Sequence, residues 1–128
     1  MGKLEFHVEK ARRNEDFFNS YGLSKSQYNE WGVTVLFYAA MHLIDAVLSQ
    51  DNSVPGNVRN PKDHITRNWG VGQSTSLNAI YTQYFNLYER SREARYGIIS
   101  FPDGFLNKLE STNYASVKSH VKAILGLK

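Results

Sequence analysis

An all-α fold, an up-and-down bundle of about four to five helices in one domain, is what the sequence predicts. Three observations predict it. Apolar residues recur at three- and four-residue steps in every long segment, while no segment of useful length alternates in the period of a strand. The chain has 128 residues, enough for one continuous core and too few for two. Hydrophobic residues make up 41% of it and charged residues 21%, so the composition supports a packed domain over residues 1–128.

Leu4, Val8, Ala11 and Phe18 lie on one side of a first helix that runs to about Ser20, with Lys10, Arg12, Arg13 and Asp16 on other faces. Gly22 ends it. Ser24 followed by Gln27 is a capping-box pattern, and no proline intervenes before Gln50, so a long second helix is predicted from there. Asp51 to Pro61 is rich in Asn, Ser, Pro and Gly and reads as an exposed loop. A short helix follows from about Lys62 to Trp69, broken by Gly70 and Gly72. Ser74 or Ser76 then caps a helix that continues to about Tyr96. After the turn at Pro102, Asp103 and Gly104, Phe105–Leu109 forms a helical turn, and Tyr114, Val117, Val121, Ile124 and Leu125 mark the last helix.

Several function classes drop out on composition. The chain has no cysteine, which removes disulfides, thiolate metal sites and cysteine nucleophiles. Met1 to Lys10 has no apolar run of the kind a signal peptide needs, and Trp31 to Leu48 carries His42 and Asp45 and reads as a core helix rather than a span. A soluble, cytoplasmic protein with no membrane contact is expected. The formal charge is +3. Between Arg59 and Arg95 stand six basic residues (Arg59, Lys62, Arg67, Arg90, Arg92, Arg95) against three acids (Asp63, Glu89, Glu93), a local excess that permits contact with phosphates.

Two helices have unusual faces. Val33, Leu36, Phe37, Ala40, Leu43, Ile44, Val47 and Leu48 gather on the core side of the second helix. Opposite them, Trp31, Thr34, Tyr38, His42, Asp45 and Ser49 form a stripe too aromatic for a solvated face and too polar for a dry core. That stripe must meet another helix, a second subunit or a ligand, and a homodimer is expected from it. In the later helix Arg95 falls on the stripe of Leu77, Ile80, Tyr84, Tyr88 and Ser91, which directs a guanidinium inward. It needs a partner, either an internal carboxylate, for which Asp45 and Glu93 are the candidates, or an external anion held with Arg92 beside Tyr84, Tyr88 and Tyr96.

Of the four histidines, His42 is placed to bond Asp45 or a tyrosine, His64 sits by a helix start next to Asp63, and His7 and His120 occupy positions expected to be solvated. No two share one helix at ligand spacing, so a metal site would have to be assembled from distant segments and none is expected; nor is a cofactor. Neither a Walker loop nor a GxGxxG is present.

Three segments carry a family resemblance: the aromatic-small FYAAMH within Trp31 to Leu48, the Asp63, His64, Arg67 element (DHxxR), and the tyrosine/arginine stretch Tyr84 to Tyr96 that ends in ARY. Together they resemble the HEPN superfamily over about residues 24 to 100. The resemblance implies a helical bundle, commonly dimeric, that acts in toxin-antitoxin or other defence systems. It implies either a metal-independent ribonuclease or a non-catalytic RNA-binding or nucleotide-associated module, in some members beside a nucleotidyltransferase-like partner protein. Active members carry Arg, four to six residues, then His. Arg59 and His64 stand at that spacing, but Pro61 lies between them and the pair precedes the helix where the ribonucleases carry the motif.

If there is cleavage, His42 and His64 are the acid/base candidates, with Arg67, Arg92 and Arg95, and with Tyr88 and Tyr96, holding the anion or nucleic acid. A dimerisation or ligand-binding module would use the same groups as a structural network. A small-molecule enzyme would need a deep pocket among Tyr38, His42, Tyr84 and Tyr88.

Overall fold

The computed structural model describes residues 3–20, 29–97, 101–102 and 104–127. All regular structure among them is helical: α1 (Lys3–Ser20), α2 (Asn29–Leu48), α3 (Gly56–Arg59), α4 (His64–Gln73), α5 (Tyr81–Tyr96), α6 (Phe105–Leu109) and α7 (Ala115–Leu125). A short 3-10 turn, Asn78–Ile80, leads into α5, and a π-helical turn, Glu110–Tyr114, joins α6 to α7. The predicted all-α bundle is therefore the observed one. The expected stop at Gly22 and the Ser24/Gln27 cap lie outside the described residues.

The helix α2 is the centre of the bundle, packed against α1 most extensively and then against α5 and α7. Its length and composition would allow it to cross a membrane, but two-thirds of the Glu30–Leu48 segment is buried inside the fold. Every residue of its predicted core side is buried, and so are Ala39 and Ala46, where small side chains let neighbouring helices approach. From α1 only Ala11 and Phe18 are buried, while Leu4 and Val8 lie at the edge of the core.

Two sequence expectations need correction. The segment after α2 is not simply an exposed loop, because Val54 and Val58 are 2% and 1% exposed and anchor it to the core. Asp51 holds it from within, accepting hydrogen bonds from the Ser53 amide and from the hydroxyls of Ser53 and Ser74. The second correction concerns α4, which runs straight through Gly70 and Gly72. A Cβ at Gly70 would come within 2.4 Å of the Val58 side chain, so glycine is there to let α4 lie against α3 rather than to end a helix. Ser74 closes α4 and its hydroxyl accepts from the amides of Ser76 and Leu77, but it does not cap the helix that runs to Tyr96. That helix, α5, starts only at Tyr81, and neither it nor the 3-10 turn before it has a side-chain cap.

Candidate functional site

Polar side chains from α1, α2, α4 and α5 converge on the semi-polar stripe of α2. Asp63 caps α4 by accepting from the Thr66 amide at 2.7 Å, which sets His64 at the first helical position and Arg67 one turn on. That turn carries Arg67 under α2. There its Nε donates to Asp45 Oδ1 at 2.7 Å and its Nη2 to Oδ2 at 3.1 Å. The two residues are 6% and 4% exposed, so this is a buried fork-to-carboxylate pair. Burial acts against the guanidinium charge, but Asp45 more than offsets it and the Arg67 pKa is raised. Next to this pair Tyr84 is wholly buried, its hydroxyl without a well-formed hydrogen bond, and burial pushes its pKa up.

Arg67 also donates to His64 Nδ1 across 3.2 Å. Because a guanidinium can only donate, Nδ1 must be the accepting nitrogen and Nε2 carries the ring proton. Burial, followed by the charges of Arg67 and Arg95, lowers the His64 pKa, so the ring is neutral near pH 7 and offers an N–H. It rests on Phe37 and Tyr88, with ring centroids 5.7 and 5.4 Å away.

Phe37 is the floor of the site: Tyr38, Tyr84 and Tyr88 also pack on it at 5.5 to 5.9 Å. Phe37 thus packs among Tyr38, Tyr84 and Tyr88, three of the four residues around which a small-molecule enzyme would have required a pocket. Arg95 lies over the same ring, 6.0 Å from its centroid, and over Tyr38 and Tyr96 at 5.9 and 5.2 Å. Its hydrogen bonds go to the Ser91 carbonyl and hydroxyl and to the Tyr38 hydroxyl, at 3.2 to 3.4 Å. The expected carboxylate partners are otherwise engaged, Asp45 by Arg67 and Glu93 by Arg90 at 2.7 Å. No carboxylate among the described residues pairs with Arg95. Beside it opens a surface groove of about 270 Å³ lined by Glu30, Trp31, Thr34, Ala94 and Arg95. Trp31 and Tyr96, 65% and 80% exposed, flank that groove and the guanidinium.

His42 lies elsewhere on the stripe, half-buried, and faces His7 of α1 rather than Asp45 or a tyrosine, with 3.0 Å between the two Nδ1 atoms. His7 is therefore not the solvated position the sequence indicated. Nor is His120, which meets the Ser76 carbonyl at 2.6 Å. Burial and the neighbouring His7 pull the His42 pKa down to about 4, and burial also lowers that of His7. A histidine held neutral in the folded chain contributes stability above its unfolded value near 6.5, and that contribution is lost as the pH falls toward 4. Between those pH values the wild type should lose roughly 1 to 2 kcal/mol more stability than His42→Gln, allowing for the solvent that still reaches the ring. Urea unfolding of both proteins at several pH values checks this; parallel curves would remove His42 from the acid sensitivity.

Of the remaining sequence candidates, Tyr88 lies half-buried between His64 and Phe85. Arg92 is exposed, 5.9 Å from the Tyr88 ring, and only loosely tied to Glu89 at 3.5 Å. Arg59 donates to the Asp51 carbonyl at 3.0 Å, bracing the loop after α2. Arg67, His64, Tyr88, Arg95 and Tyr96 are thus linked through one another and Phe37, whereas His42 belongs to a separate pair with His7. Sequence reasoning missed His7 and the groove beside Trp31, because both depend on how distant helices meet. No family model, curated protein or solved structure matches the chain.

Proposed function

We propose that this domain is an anion-binding helical module of HEPN type that associates with RNA or a nucleotide through Arg95, without cleaving it. The observation that carries this reading is the state of Arg95: a guanidinium held over three aromatic rings, without a carboxylate partner among the described residues, at the edge of the Trp31 groove. Hydroxyl and carbonyl partners fix its position and no ion pair among the described residues neutralises it, which leaves it able to pair with a phosphate, with Glu30 as the one acidic residue lining the same groove. The N–H at His64 Nε2 adds a donor of matching sign. Tyr96 and Trp31 are exposed aromatic surfaces on which a base can stack. Arg92 adds a positive charge on the exposed side of α5.

Binding is favoured over cleavage by the state of His64. With Nδ1 tied to Arg67 and Nε2 already protonated, the ring has no free lone pair with which to take a proton from a 2′-hydroxyl. His42 is engaged with His7. The wider reading includes a homodimer and a place in a toxin-antitoxin or defence-type system.

Arg95→Met tests the assignment. Without a carboxylate to strand, the variant should keep the stability of the unliganded chain to within about 1 kcal/mol. It should lose the rise in melting temperature that phosphate or a short RNA gives the wild type, and RNA affinity should fall by a factor of ten or more with a shallower salt dependence. Equal protection of wild type and variant by RNA, or no protection of either, would overturn the proposal.

A further inference from the structure

The pairing of His7 with His42 is not used by the anion site, and its geometry has a second reading. His42 and Asp45 stand one turn apart on α2, and α1 brings His7 over them, so that one ligand atom from each of the three lies within 4.8 Å of the others. The two imidazole nitrogens are 3.0 Å apart. Two nitrogens bound to one tetrahedral zinc ion at about 2.0 to 2.1 Å are separated by roughly 3.3 Å, so the rings need only a few tenths of an ångström to admit an ion between them. Asp45 has to approach further. Although both its oxygens accept from Arg67, each keeps a second lone pair, and a carboxylate can serve a guanidinium on one side and a cation on the other.

We propose that His7, His42 and Asp45 form a site for a borderline divalent transition-metal ion of the zinc type, which clamps α1 to α2 and keeps one coordination position for water. Two imidazoles and one carboxylate are a ligand set that such ions favour over magnesium or calcium. Three protein ligands leave a tetrahedral ion open at the fourth position. Lys3, Lys10 and Arg67 place positive charge around the cluster and oppose the dication, so the expected affinity is roughly micromolar and not that of a closed structural site. The inference stands apart from the phosphate reading, since neither imidazole takes part in the Arg95 groove.

The untagged full chain, stripped with a chelator, is to be melted with and without Zn²⁺ and titrated with Co²⁺ as a spectroscopic probe. Zinc at about a hundred times its Kd should raise the melting temperature by roughly 5 to 15 °C. Co²⁺ should show the intense visible absorption of a four-coordinate ion. His7→Ala and His42→Ala should each abolish both signals, whereas His120→Ala keeps them. His7 lies on the outer helix, where alanine favours the helical state, so this variant tests the site without disturbing α2. A chain that gives no melting shift and only the weak spectrum of hydrated Co²⁺ would overturn the proposal. Signals that survive in both histidine variants would overturn it equally.

Discussion

Arg67→Met is expected to lose roughly 3 to 5 kcal/mol of folding stability, because it leaves the Asp45 carboxylate without its cation inside the bundle. The loss has little to do with the net worth of the pair. Removing both charges from water costs several kcal/mol, which their attraction only approximately offsets, so the intact pair is close to neutral against an apolar replacement. Asp45 is 4% exposed and draws both of its strong hydrogen bonds from Arg67. Without them it must either ionise unpaired or take up a proton. The double variant Asp45→Leu, Arg67→Met should therefore be more stable than Arg67→Met alone. Urea unfolding measures both effects, provided that the m-value is unchanged. A single variant within 1 kcal/mol of wild type would show that water reaches Asp45.

Phe37→Ala carries the second large effect, roughly 3 to 5 kcal/mol, as expected when a fully buried aromatic side chain is cut back to a methyl and the cavity persists. Here the effect should extend to binding. The ring lies under His64, Tyr38, Tyr84, Tyr88 and Arg95 at once, so its loss frees the guanidinium and the imidazole together. Phe37→Leu separates the two consequences: it keeps most of the buried volume and should cost less than about 1.5 kcal/mol. It removes the π face on which Arg95 rests, worth roughly 0.5 to 2 kcal/mol. Phosphate protection in Phe37→Leu should consequently fall more than stability does. Equal and small changes in both would mean that Phe37 serves the core alone.

The amino-acid sequence by itself determined the fold class, the core side of α2, the C-terminal ends of α1 and α5 and the bounds of α7. Those features follow from the spacing of apolar residues along one segment, which a helix of 3.6 residues per turn converts directly into a face. It also singled out the charged Arg95, since its spacing from Tyr84, Tyr88 and Ser91 is local to α5, although Leu77 and Ile80 of the same predicted stripe precede that helix. Tertiary structure alone decided what that charge meets. Asp45 and Arg67 are 22 residues apart, and His7 and His42 are separated by 35. Such pairs depend on the relative rotation of two helices, and no local period encodes it. Arg67 therefore took the carboxylate that Arg95 was expected to share, and His7, which reads as solvated on its own helix, came to rest against His42. Gly70 shows the same limit: along the chain a glycine reads as a breaker, whereas its use here is set by Val58, a side chain on another helix.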